Sequence, residues 1–146
     1  MEDWAPATKP GYLVNRASRL FARIGEARLR GLDLGVAYLP VFAALGGGQA
    51  LSQRDLAIHA QIEQPTMAQL LARMDRAGLL VRTPDPSDKR SGLISLSALA
   101  LSKIAPGRAV LMQGNAEALA GFSPEEEATL RALLERLIRT LEAVKP

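Results

Sequence analysis

The sequence predicts a mainly α-helical fold with one small β-hairpin, and three observations carry that expectation. Hydrophobic residues make up 48% of the 146, yet aromatics only 4%; an Ala- and Leu-rich mixture of this kind favours packed helices over a β-sandwich. Apolar residues recur at steps of three and four along most of the chain, the period of an amphipathic helix. Between residues 79 and 96 that period is lost, and two short apolar runs flank a charged, proline-bearing segment.

The elements follow in order. Leu13, Ala17, Leu20, Ile24 and Ala27 form one stripe of a helix from Pro10 to Arg30, with Arg16, Arg19, Arg23 and Arg30 off it. A second helix is expected over Gly35 to Leu45; Pro40 kinks it unless it begins later. Gly46-Gly47-Gly48 breaks the chain. Ser52 can cap the next helix by accepting from an amide three residues on, and Asp55 can reach back to the Ser52 amide. That helix should end near His59 or Ala60. Proline suits a first helical position, so another helix runs from Pro65 to Ala77 and stops at Gly78. Two short helices joined by a tight turn make a helix-turn-helix.

Leu79 to Thr83 reads as a strand, Pro84 to Ser91 as a polar loop, and Leu93 to Leu96 as the returning strand. Ala98 to Ala120 is helical with an interruption expected at Pro106-Gly107. Ser123-Pro124-Glu125-Glu126 caps a last helix to Val144, whose Leu130, Leu133, Leu134, Leu137, Ile138 and Leu141 are enough to bury two sides.

Composition excludes several function classes. No cysteine is present, so there is no disulfide framework, thiolate zinc site or thiol switch within this chain. One histidine and no His/Asp/Glu grouping at ligand spacing leave no metal site and no catalytic constellation. The glycine triplet lacks the Gly-Lys-Ser/Thr that a phosphate loop needs. The reading is therefore of a protein that is not an enzyme and has no cofactor. Glu2 and Asp3 with no following apolar run argue against a signal peptide, no stretch suits a membrane span, and a cytoplasmic protein is expected. A net charge of +3 permits nucleic-acid binding without demonstrating it.

On a helical wheel Met67, Leu70, Leu71, Met74 and Ala77 cluster inward, while Pro65, Ala68, Gln69, Ala72, Arg73 and Arg76 point outward. The outward set is small or hydrogen-bonding and carries no acid. Small residues let a helix approach the floor of the DNA major groove, where Gln pairs with adenine, Arg with guanine, and Ala touches a thymine methyl. Gln64 and Thr66, in the first turn, are placed for a phosphate or a base edge. An ordinary solvated helix face is the alternative. The hairpin that follows adds weight: Arg90 at its tip suits a narrow minor groove, Lys89 a phosphate. Asp88 repels phosphate, so its role is internal, accepting from the Arg90 guanidinium or from loop amides.

Leu51-Ser52, Leu56-Ala57, Thr66, Leu70, Met74, Gly78-Leu79-Leu80-Val81-Arg82, Asp88-Lys89-Arg90 and Leu96-Ser97 together resemble the core of the MarR family of bacterial regulators. The resemblance implies a winged helix-turn-helix lobe over residues 35–97. Dimerisation helices flank it at 1–34 and 98–146, giving an obligate homodimer of triangular outline. It implies recognition helices in successive major grooves of double-stranded DNA at a pseudo-palindromic operator, and Asp88 and Arg90 as the wing pair. The function implied is a sequence-specific transcription regulator, a repressor, released by a small aromatic or phenolic effector. Candidate residues for the effector cleft are Arg16, Arg19, Tyr38, Phe42 and His59; each also has a plain structural reading as core, helix end or solvated cation. Two departures stand out: Ala100 replaces the glycine usual after the second wing strand, and Gln69 stands where a basic residue is common. The competing reading is a winged-helix module that binds another protein.

Overall fold

The computed structural model describes residues 5–146; Glu2 and Asp3, on which the reading of the amino terminus rests, lie outside them. In chain order the elements are α1 (Pro10–Leu29), α2 (Leu39–Leu45), α3 (Gln53–Ala60), α4 (Gln64–Arg76), β1 (Leu80–Asp85), β2 (Asp88–Leu96), α5 (Ala98–Ala118) and α6 (Pro124–Glu142). Short 3₁₀ turns occupy Pro6–Thr8, Arg30–Leu32 and Val36–Tyr38. The chain divides between Leu111 and Met112 into two compact units. No helix among the described residues is long and apolar enough to cross a membrane.

One core organises the first unit. Leu29, Val41, Leu45, Leu56, Met67, Leu71, Met74, Leu79 and Ile94 are fully buried in it. They come from α1, α2, α3, α4 and the hairpin with its entry, each supplying only one to three of them. Each fully buried side chain of this size stabilises by about 1.5–3 kcal/mol relative to exposure, and α4, with Met67, Leu71 and Met74, supplies more of them than any other element. From α1 only Leu29 is buried; Leu13, Leu20, Phe21 and Ile24 remain 41–49% exposed. Two polar ties hold the end of α1 to the lobe. Glu26 Oε2 accepts from the Val36 amide at 2.8 Å, and Lys103 Nζ donates to the Leu32 carbonyl.

Several local expectations need correction. Helix α2 begins at Leu39, so Pro40 falls in its first turn, where no amide is needed and no kink results. Only half of the capping box expected at α3 forms: the Ser52 hydroxyl accepts from the Asp55 amide at 3.1 Å. Ala77, expected inside, is exposed as the C-cap of α4. Both strands run further than expected: Pro84 pairs with Gly92 and Asp85 with Asp88, a register shift between these two pairs leaves Lys89, Arg90 and Ser91 bulged, and the chain turns at Pro86-Ser87. Cross-strand hydrogen bonds extend a hairpin beyond the apolar residues that sequence patterning detects. Leu51, after the glycine triplet, adds a short third rung by exchanging backbone hydrogen bonds with Ile94 at 3.0 and 2.7 Å.

Pro106-Gly107 does not interrupt α5, which is continuous from Ala98 to Ala118. Proline deprives one carbonyl of its donor, but that loss is tolerated on an exposed flank. Gly107 is buried for a different reason: a Cβ there would lie 3.2 Å from Leu34 Cδ1, so its smallness lets α5 lie close to the core. Gly78 adopts φ +73°, the left-handed conformation that ends α4 and turns the chain into β1. The second unit contains the end of α5 and all of α6. Its Ser123 capping box is complete, with bonds of 3.1 and 3.0 Å. No residue of α6 is buried, and Leu130, Leu133, Leu134, Ile138 and Leu141 stand 37–58% exposed.

Candidate nucleic-acid interface

Helix α4 presents its surface because Met67, Leu70, Leu71 and Met74 anchor the opposite side. Gln64, Pro65, Thr66, Gln69, Arg73 and Arg76 are exposed, whereas Ala68 and Ala72 are half-buried. At about 100° per residue, Pro65, Gln69 and Arg76 fall opposite the buried side. Arg73 and Asp75, two residues apart, fall on opposite flanks. Both flanks are fastened. On one, Asp75 Oδ2 accepts from Arg82 Nη2 at 2.7 Å and Nε at 2.9 Å, joining the helix to β1. On the other, the Arg73 guanidinium lies 5.7 Å from the ring centroid of Tyr38, in the 3₁₀ turn before α2. The helix therefore does carry an exposed acid, Asp75, which the wheel placed off the outward face; pairing with Arg82 neutralises it locally.

The hairpin leaves the core as it extends. Ile94 and Leu96 are buried, while Asp88, Lys89 and Arg90 are exposed. The tip is nevertheless ordered by its own acids. Asp85 Oδ1 accepts from the Ser87 amide at 2.9 Å and the Ser87 hydroxyl at 2.7 Å, and these bonds hold its carboxyl below the ordinary value of 3.8. Asp88 Oδ1 accepts from the Arg90 amide at 3.0 Å. Of the two roles open to Asp88, the structure thus contains the backbone one: the acid fixes the peptide that carries Arg90 and leaves the guanidinium without a partner among the described residues. Ser97 ties wing to helix end, donating to the Gly78 carbonyl at 2.7 Å and accepting from the Ala100 amide at 3.2 Å.

Two of the five cleft candidates share a hollow. Arg16 and Arg19 line a shallow hollow of about 290 Å³ along α1, together with Tyr12, Leu20 and Arg23. Tyr38 and Phe42 are half-buried and pack against the core, and His59 is exposed near the end of α3. Among the described residues no group of three or more His, Cys, Asp or Glu could hold a metal. Sequence reasoning missed Asp75, and it took Tyr38 as a cleft or core residue rather than as a partner of Arg73. An acid and an arginine either side of a glycine-stopped helix were the available signal for the first; no local signal links Tyr38 to Arg73.

Comparison with known proteins agrees with this architecture. Residues 32–91 match the model of the MarR family. A probable transcriptional regulator from Pseudomonas aeruginosa is 28% identical, with 91% of this chain and 99% of that one covered at a TM-score of 0.83. A mutant MarR from E. coli complexed with operator DNA is 20% identical, covering 94% and 99%, at 0.83. PcaV from Streptomyces coelicolor, in complex with its natural ligand, is 24% identical, covering 95% and 98%, at 0.80; these last two share the fold. The segment that holds the helix-turn-helix and most of the wing matches the MarR family, and with helices on both sides the chain is similar throughout to winged-helix transcription regulators of that kind.

Proposed function

We propose that the chain binds double-stranded DNA as a homodimer and represses transcription by occupying promoter sites in the cytoplasm. The observation that carries this reading is the pairing of an exposed, acid-neutralised α4 surface with an outlying wing tip where the Lys89 and Arg90 side chains have no partner among the described residues. Gln64, Thr66, Gln69 and Arg73 read base edges in the major groove, with Pro65 and Ala68 allowing close approach. Arg90 enters the minor groove, Asp88 stiffens it, and Arg76 and Lys89 hold phosphates. The operator is pseudo-palindromic, with half-site centres about 34 Å apart.

Exposed apolar stripes on α1 and α6 support pairing of two copies through the 1–34 and 98–146 segments, since such residues seek cover. The MarR complex with operator DNA supports the DNA reading. The ligand-bound PcaV supports a small-molecule effector, for which we propose an aromatic or phenolic acid. Arg16 and Arg19 offer its carboxylate a cationic hollow, while Tyr38, Phe42 and His59 remain cleft candidates. Such a ligand acts by differential affinity for a dimer whose reading heads are wrongly spaced.

The test is selection of bound fragments from a random duplex library by purified protein, then titration of the winner across salt. A recovered inverted repeat whose affinity falls steeply with ionic strength is expected. No enrichment and no salt dependence would instead indicate a protein-binding module.

A further inference from the structure

Arg73 is an exposed cation that makes no hydrogen bond or ion pair among the described residues, yet its position is defined because it lies over Tyr38. Tyr38 is half-buried and packed on the lobe's core, so the ring is a fixed platform rather than a swinging partner. A guanidinium held against a ring by cation–π attraction keeps its N–H donors free of hydrogen bonds, and those donors are the fork that recognises guanine bidentately. The ring contact therefore removes rotamer freedom from Arg73 without consuming any group that recognition needs. Nearby cations lack such a platform: Arg76 pairs with no side chain among the described residues, and Arg82 spends its fork on Asp75.

From this we infer that Tyr38 is a positioning residue for base recognition, presenting the Arg73 fork to the major groove and so setting sequence preference through a residue that touches no DNA. The inference rests on the proposed role of Arg73 as a base reader.

The experiment compares selected duplex sequences for wild type, Arg73→Ala, Tyr38→Leu, Tyr38→Phe and the double variant Tyr38→Leu/Arg73→Ala. Wild type selects guanine at one position per half-site, and Arg73→Ala relaxes that position. Tyr38→Leu relaxes the same position by about two- to five-fold, the range of an exposed cation–π contact. Other positions and non-specific affinity stay as in wild type. Tyr38→Phe, which keeps the ring, retains the preference, and the double variant is no looser than Arg73→Ala. A merely structural Tyr38 would weaken every duplex equally, and that result overturns the inference. So does an unchanged preference in Tyr38→Leu while Arg73→Ala relaxes it. If Arg73→Ala itself alters no base preference, the reader assignment fails, and the inference falls with it. Should Tyr38→Leu not fold, the wild-type Arg73 side-chain N–H resonance decides: an upfield ring-current shift supports stacking in solution, and its absence refutes it.

Discussion

Asp75, on the last turn of α4, takes both Nε and Nη2 of Arg82 on one carboxylate oxygen, at 2.9 and 2.7 Å. The pair bridges the helix proposed to read bases and the strand that carries the wing, across the Gly78 turn. It is 36% exposed on the acid and 48% on the arginine, so solvent screens it heavily. Its expected effect on stability is small, below about 1 kcal/mol. A double-mutant cycle with Asp75→Asn and Arg82→Met, followed by chemical denaturation, should give that coupling and lose most of it in 1 M salt. The same variants should weaken specific DNA binding by more than they lower stability, because the angle between helix and wing loosens.

The wing arginine and lysine should behave differently from each other. Arg90→Ala is expected to weaken operator binding strongly while helical content by circular dichroism stays unchanged. Lys89→Ala should weaken all duplexes about equally and reduce the salt slope by about 1, the signature of one phosphate contact. Operator binding unaltered by Arg90→Ala would remove the wing from the interface.

Ser97 is expected to matter for stability rather than for DNA. Its hydroxyl both donates to Gly78 and accepts from the first turn of α5. Ser97→Ala leaves both groups without that partner and should cost about 1–2 kcal/mol. A lowered denaturation midpoint with unchanged slope would register it; an unshifted midpoint would mean that water replaces both bonds at no cost.

Acid should loosen the hairpin turn at a defined place. Hydrogen bonds from the Ser87 hydroxyl, then from the Ser87 and Asp88 amides, lower the Asp85 pKa in the folded protein. A depressed carboxylate contributes its stabilisation fully above the unfolded value and loses it as pH falls through the folded one. The turn should therefore hold above about pH 4 and open below it. Carbon-detected titration of Asp85 alongside the Ser87 amide resonance follows this directly. A midpoint at or above 3.8 would show that the Ser87 bonds do not persist in solution.

Much of the fold was legible in the order of residues alone. Helix starts at Ser52 and Ser123 were readable because capping is local: a side-chain oxygen and an amide three residues away need no distant partner. The start of α4, at Gln64 and one residue before the expected Pro65, was readable from the proline in its first turn. The stop at Gly78 was readable because only glycine adopts φ +73° without strain. Met67, Leu70, Leu71 and Met74 announced the buried side of α4 by their spacing. Tertiary structure alone decided what local rules cannot see. Pro106-Gly107 looks like a breaker, yet Gly107 is small because Leu34 lies against it from 73 residues away. Leu51 pairs with Ile94 only once the core has brought them side by side. The fastening of Arg73 to Tyr38 and of Asp75 to Arg82 likewise depends on which elements flank α4. Local periodicity and capping act within a turn or two of chain. Contacts between elements arise when packing sets their faces together, and a single sequence contains no direct record of that.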